Sequence, residues 1–393
     1  MNPVAPKQNE CTERAHDIQP FHVMALLAEA RRLQEAGRDI IHLAVGEPDF
    51  PTPEPMVEAA VKALRAGQTG YTPALGMTAL REKIAAYYQQ RFGVTIPAGR
   101  ILVTPGASGA LLLLAASRIE VGQTLMLADP GYPCNRQFAR VFEGRGQLIP
   151  SGPETAFQLT PQMVREHWNA NTRAALVASP ANPTGTVLSP QQLVDLAAAV
   201  REQQGELWVD EIYQGLNFTG EAHTVLSVVD DAAVINSFSK YFGMTGWRLG
   251  WTVVPECWVE RMDVLAQNLF LAPPTPAQHA AMVAFEPDTL AILEQRREIL
   301  RARRQWLLKA LPELGFGIPV EPDGAFYIYA DASRFTDNSL EFCRRCLQEA
   351  GVAITPGVDF GVFEANTHIR IAYSAELPRL QEAVDRLAAW LPK

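Results

Sequence analysis

Between residues 101 and 254 the chain alternates short apolar, often β-branched runs with longer segments of helical period, and this alternation constrains the fold more than any other feature. The runs are Ile101–Thr104, Thr124–Ala128, Ala174–Ala178, Leu207–Asp210, Val234–Ser237 and Leu249–Val254, with helical segments such as Gly109–Arg118 and Pro190–Gln204 between several of them. Strands this apolar need cover on both faces, and helical crossovers let successive strands run parallel. The expectation is an α/β domain with a mostly parallel sheet sandwiched by helices. Beyond about Ala280 the pattern changes to a long Arg- and Glu-rich helix (Asp288–Ala310), a strand (Ala325–Ala330), a helix (Ser339–Ala350), a strand (His368–Ala372) and a closing helix (Pro378–Trp390). That reads as a smaller α+β domain. The first fifty residues are expected to pack with it, so that 1–50 and 286–393 form one discontinuous unit around a large domain at 51–285.

At 393 residues the chain can bury a substantial core in two domains. A net charge of −9 argues against nucleic acid as the main partner, since phosphate binding needs clustered positive charge. The longest clean apolar run, Ala110–Ala116, is too short to span a membrane, and Met1–Glu10 lacks the apolar centre of a signal peptide. A cytoplasmic protein is expected. The five cysteines are scattered; Cys343 and Cys346 form one C-x-x-C pair with no second pair or histidine beside it. Two helical thiols one turn apart fit this better than a zinc site, so no metal is expected.

Only six of the 34 basic residues are lysines, and five of them lie at the termini or in helix-like surface stretches. Lys240 differs. It follows the apolar run Ala232–Ser239 and opens a glycine-punctuated loop, Lys240-Tyr-Phe-Gly-Met-Thr-Gly-Trp-Arg-Leu-Gly250. An amine held at a strand end in apolar surroundings loses its proton readily and attacks carbonyls.

Polar groups in parallel α/β sheets gather at the carboxyl ends of strands. After Ile101–Thr104 comes Pro105-Gly-Ala-Ser-Gly109, a small-residue turn opening a helix; taken alone it is an ordinary turn, but its free amides suit a phosphate. After Ala174–Ala178, the prolines and glycine of Ser179-Pro-Ala-Asn-Pro-Thr-Gly185 fix the backbone around Asn182. Leu207–Val209 ends in Asp210-Glu-Ile-Tyr213, an acid that needs a cationic partner if it is not merely a helix cap. Ser237 and Ser239 flank the strand end before Lys240, and Arg248 offers a planar fork of donors eight residues later. One ligand reconciles these groups: an aromatic aldehyde bearing a phosphate and a pyridine nitrogen. Lys240 would bond its aldehyde, and Asp210 would keep the ring nitrogen protonated. Asn182 and Tyr213 would reach the phenolic oxygen. The amides of Ala107 and Ser108, the Ser237 hydroxyl and Arg248 would hold the phosphate, and Tyr132, in Asp129-Pro-Gly-Tyr-Pro133, would stack on the ring.

At this point the sequence resembles the class I/II aminotransferases of the fold-type I pyridoxal-phosphate enzymes, in the branch with many prokaryotic aspartate, alanine and aromatic aminotransferases. The resemblance runs from Pro20 to Trp390. It rests on ordered strings: Val45-Gly-Glu-Pro-Asp-Phe50, Tyr71 before Gly76, Pro105–Gly109, Asp129–Pro133, Asn182-Pro-Thr-Gly185, Asp210–Tyr213, Ser237-Phe-Ser-Lys240 with Arg248, and His368-Ile-Arg370. It implies a seven-stranded large-domain sheet, pyridoxal 5′-phosphate as cofactor, and a ping-pong transfer of an amino group between an L-amino acid and a 2-oxo acid through a Schiff base. It further implies that Arg370, helped by Asn182 and the backbone of Gly46, takes the substrate carboxylate. Tyr71 would serve the neighbouring subunit's phosphate, which makes the enzyme a homodimer, and Ile18 and Phe21 would line or cover the cleft. The dicarboxylate-specific members carry a partner-subunit arginine downstream of the cofactor lysine, whereas Gln267–Gln278 here contains no cation. Uncharged aliphatic or aromatic donors are therefore expected. A C–S β-lyase would share the fold and most of these residues; a vestigial cofactor-binding protein would carry an appended DNA-binding domain, for which the N-terminal stretch is too short.

Overall fold

The computed structural model describes residues 11–392; Met1–Glu10, on which the signal-peptide reading fell, lies outside them. The chain first lays down β1 (Ile41–His42) and then seven strands of one sheet: β2 (Ile101–Thr104), β3 (Thr124–Asp129), β4 (Arg145–Pro150), β5 (Thr172–Ala178), β6 (Glu206–Asp210), β7 (Ala233–Ser237) and β8 (Gly250–Val253). It ends with β9 (Tyr327–Asp331), β10 (Val352–Ala353), β11 (Thr355–Pro356) and β12 (His368–Ala372). The large sheet has the order β2-β8-β7-β6-β5-β3-β4. Within it β8 runs against both neighbours, and β4, β3, β5, β6 and β7 pair in parallel.

The two-residue period of a strand sorts the apolar runs onto two faces. Leu125, Leu127, Leu176, Trp208 and Ile235 pack on one side with helices Gly106–Arg118 and Glu256–Leu269. Met126, Val177, Leu207, Val209 and Val234 pack on the other with helix Pro190–Glu202. That helix starts in a reciprocal cap, Ser189 accepting from the Gln192 amide while the Gln192 side chain accepts from the Ser189 amide, and Pro190 occupies its first turn.

The remaining strands make two small sheets. β9, β12 and β11 form an antiparallel sheet in which Arg370 lies opposite Tyr329 and Thr355, while β1 pairs in parallel with β10 at the other end of the chain. A 28-residue helix, Pro287–Leu314, runs alongside. Its Arg303 forks onto Asp49 at 2.8 and 2.9 Å and holds the segment that follows β1. The expected helix Ser339–Ala350 is α-helical to Arg345 and continues as a π turn over Cys346–Ala350; Cys343 and Cys346 are buried free thiols within it. Among the described residues no helix is long and apolar enough to cross a membrane.

Candidate active site

Because β8 inserts antiparallel between β2 and β7, its first residue, Gly250, pairs with both Thr104 and Ser237. Three separate strings therefore meet: the turn after Thr104, the loop after Ser237, and Arg248 two residues before Gly250. The turn needs its glycine. Gly106 has φ +73°, and a Cβ there would stand 2.7 Å from Arg248 Nη2. Helix Gly106–Arg118 thus begins directly beneath a guanidinium, with the amides of its first turn unsatisfied by any side-chain cap among the described residues.

These elements wall a cleft of about 310 Å3 between the sheet's carboxyl ends and the β9-β12-β11 sheet. Gly46, Ala107, Ser108, Tyr132, Asn182, Asp210, Tyr213, Lys240, Arg248 and Arg370 all line it. Three residues singled out from the sequence, Ser237, Tyr71 and Ile18, do not. Ser237 is buried one layer back, its hydroxyl 2.9 Å from Ser239 Oγ and 3.1 Å from the Leu249 carbonyl, and it is Ser239 that reaches the wall. Tyr71 lies outside the wall and is 84% exposed. Phe21 lines the cleft and Ile18 does not.

Lys240 Nζ donates to the Gly46 carbonyl at 2.6 Å. Burial lowers the lysine's pKa to about 8; the positive fields of Arg370 and Arg248 push the same way, against the opposing carboxylates of Glu47 and Asp210. The Gly46 segment is tied over the lysine loop. Thr245 donates to Glu47, Thr52 Oγ1 donates to the Gly243 carbonyl at 2.8 Å, and Trp247 Nε1 donates to Thr52 at 2.9 Å.

Asp210 ends β6 on the cleft floor. Burial raises its pKa to about 6, opposed by the Ile212 amide that donates to Oδ1 at 3.0 Å and by Lys240. The Asp210–Tyr213 string holds two adjacent acids, and the fold sends them different ways. Glu211 points away from the cleft, is buried, and accepts from Thr224 Oγ1 and the Val225 amide; burial raises it to about 8.

Arg370 reaches in from β12. Its guanidinium lies 4.2 Å from the Tyr327 ring centre and 4.8 Å from that of Phe360; Nη1 donates to Asn182 Oδ1 at 2.8 Å and Nη2 to the Ala44 carbonyl at 2.7 Å. Its Nε is buried with no partner among the described residues. Tyr327 also meets the Tyr213 hydroxyl at 2.7 Å. Tyr327, Phe360 and Thr355 escaped sequence reading because an aromatic or threonine in a small-domain strand or turn looks like core; only Tyr327's place in register beside the Arg370 strand could have flagged it.

A buried amine near an acid, a guanidinium over a helix start, and a second guanidinium between aromatic rings give one cleft groups able to attack a carbonyl and to bind two anions. The comparisons with known proteins agree. Residues 38–387 match the model of the family described as aminotransferase class I and II. The chain is 39% identical over 377 residues to a valine–pyruvate aminotransferase of Mycobacterium tuberculosis, covering 95% of this chain and 97% of that one. It is 33% identical over 380 residues to the aspartate/prephenate aminotransferase of Thermus thermophilus, covering 96% and 97%. A crystal structure of an aminotransferase from M. tuberculosis superimposes with a TM-score of 0.94 at 39% identity, covering 98% of this chain and 99% of that one. The chain belongs to the class I and II aminotransferases, a pyridoxal-phosphate-dependent family, and it is an aminotransferase.

Proposed function

We propose that this cleft holds pyridoxal 5′-phosphate and transfers the amino group of an uncharged L-amino acid to a 2-oxo acid. The observation that carries this is the lining of one cleft by Lys240, Asp210, Arg248 and Arg370 together. The donor set fits the cofactor: the Gly106 turn under Arg248 leaves space that a single Cβ would fill, Ser108 and Ser239 add donors, and the buried Asp210, at about 6 still a carboxylate at neutral pH, suits a protonated ring nitrogen. When bound, the cofactor supplies an aldehyde for the amino group and an electron-withdrawing ring.

The chain's own residues do the rest. Arg370, its Nε free and its two Nη atoms partnered, orients the substrate carboxylate, with Asn182 steering the guanidinium. Asp210 would hold a proton on the ring nitrogen. Tyr213, steadied by Tyr327, and Asn182 would serve the phenolic oxygen, and Tyr132 would flank the ring. Lys240 Nζ, whose proton burial makes easy to lose near neutral pH, would accept a proton from the substrate Cα.

Uncharged donors are read from the apolar part of the lining, Phe21, Val23, Met24 and Leu27 on one helix start, and from the lack of a cation in Gln267–Gln278. Tyr71, exposed here, would complete a partner subunit's phosphate site, so the active form is a homodimer. We further read residues to 50 and from 286 as one unit and 51–285 as the other, supported by the β1–β10 pairing, and we take the enzyme as cytoplasmic. The test is absorption spectroscopy of the cofactor-loaded protein titrated with single L-amino acids. Conversion to the amine form with one equivalent of 2-oxo acid, fastest for apolar donors, is expected. Fastest conversion by aspartate refutes the donor reading, and ammonia release with a persistent aldehyde band marks a β-lyase.

A further inference from the structure

Helix His22–Glu35 is capped from the far end of the chain. Phe21, at its N-cap position, has no side-chain acceptor; instead Asp359 Oδ1 accepts the His22 amide at 2.7 Å and Oδ2 the Val23 amide at 2.8 Å. A carboxylate at a helix start satisfies orphan N–H groups and complements the dipole. Asp359 is 4% exposed. It closes the short turn Gly357–Asp359, and the loop beyond is fastened in turn: Asp129, at the end of β3, accepts the Val362 and Phe363 amides. A continuous chain of contacts thus leads from the large sheet through Asp129 and Asp359 to the first turn of the helix.

That turn faces the cleft. Leu26 and Ala30 anchor the helix in the core, while Phe21, Met24 and Leu27 stand on the wall, and Met24 remains 58% exposed. Large apolar side chains left uncovered beside a ligand cleft are contact surface.

We propose that Asp359 is a positioning residue that, by capping this helix across the fold, holds Phe21, Met24 and Leu27 as the apolar wall selecting the donor side chain. The selectivity half rests on the uncharged-donor reading above; the capping half does not.

The experiment uses the cofactor-loaded enzyme and two readouts: hydrogen exchange over residues 21–27, and kcat/KM for alanine, leucine, phenylalanine and aspartate. Asp359→Ala should speed exchange and lower kcat/KM for leucine and phenylalanine about tenfold, mostly through KM, while alanine, too short to reach the wall, loses far less. Asp359→Asn, which keeps one accepting oxygen and loses the other, should fall between wild type and Asp359→Ala in both. Met24→Glu, which leaves the cap intact, should cost leucine about as much with no change in exchange. Unchanged exchange in Asp359→Ala overturns the cap. Equal losses for alanine and leucine overturn the selective role, since they place Asp359 at the carboxylate end through Phe360 and Arg370. Should Asp359→Ala not fold, a leucine preference that survives Met24→Glu overturns the wall by itself. A wild-type preference for aspartate is a separate failure, that of the donor reading, and is visible before any variant is compared.

Discussion

In the proposed reaction Lys240 and Arg370 carry the two halves of the chemistry, and each yields a measurable expectation. Lys240→Ala should lower transamination at least roughly a thousandfold, within the range of a lost proton-transfer group, and should abolish the covalent lysine–cofactor absorption band. Arg370→Lys keeps the charge but loses the fork, and should cut kcat/KM by about 10- to 100-fold with most of the loss in KM. Glu211 makes a cleaner pH test because it lies off the cleft. Its folded pKa, about 8, is above the ordinary value of 4.5, so its neutral form is what the fold prefers. The associated stability is fully present below about pH 4.5 and is lost as pH rises through about 8. Glu211→Gln, permanently neutral, should therefore gain in melting temperature over wild type progressively between pH 5 and 8, and a constant difference would sink the idea. At this scale much was legible. Lys240, Asp210, Asn182, Tyr213, Arg248 and Arg370 line one cleft, and proline, glycine and strand ends in their strings fix the backbone that carries them. Ser237 is buried one layer back instead: it ends β7 and Ser239 lies in the bend beyond it, so the packing of Ser237 against Leu249 decides which serine faces the cleft.

Among the elements, the informative ones are those that violate a simple reading. β4 reads Arg-Gly-Gln-Leu-Ile-Pro and escaped notice because an edge strand, paired only with β3, has no need of a continuous apolar run. The reversed direction of β8 was equally hidden, since a buried antiparallel strand and a buried parallel one have the same composition. Yet that reversal brings Gly106 against Arg248. Gly106→Ala should strain the turn by about 1–3 kcal/mol and displace the guanidinium, seen as weaker cofactor retention on dialysis with the far-UV spectrum intact. The small-domain strand and closing helix were legible to within a residue because their apolar periodicity is uninterrupted, whereas the π turn at Cys346–Ala350 has no signature in composition.

For the whole molecule, the change of pattern after Ala280 marks the start of the smaller α+β region in sequence, but the long-range bonds to the segment after β1 have no signature there. Arg303 is buried, and its partner Asp49 lies in a string that sequence reading assigned to the substrate side. Asp49→Ala leaves that guanidinium uncompensated and should destabilise the protein by about 3 kcal/mol in chemical denaturation. Shared sites make a second expectation: inactive Lys240→Ala and weakened Tyr71→Ala subunits, unfolded together and refolded, should regain more activity than the sum of the two, and a strictly additive mixture would count against the dimer.

The pairing of Ile41 with Val352 also sets an order of events during synthesis. The segment that roofs the lysine is made well before its strand partner. A nascent chain can assemble the large sheet once residue 253 is free, but β1 has no edge to join until residue 353 has followed. The roof over Lys240 is therefore fastened only after the floor beneath it has formed.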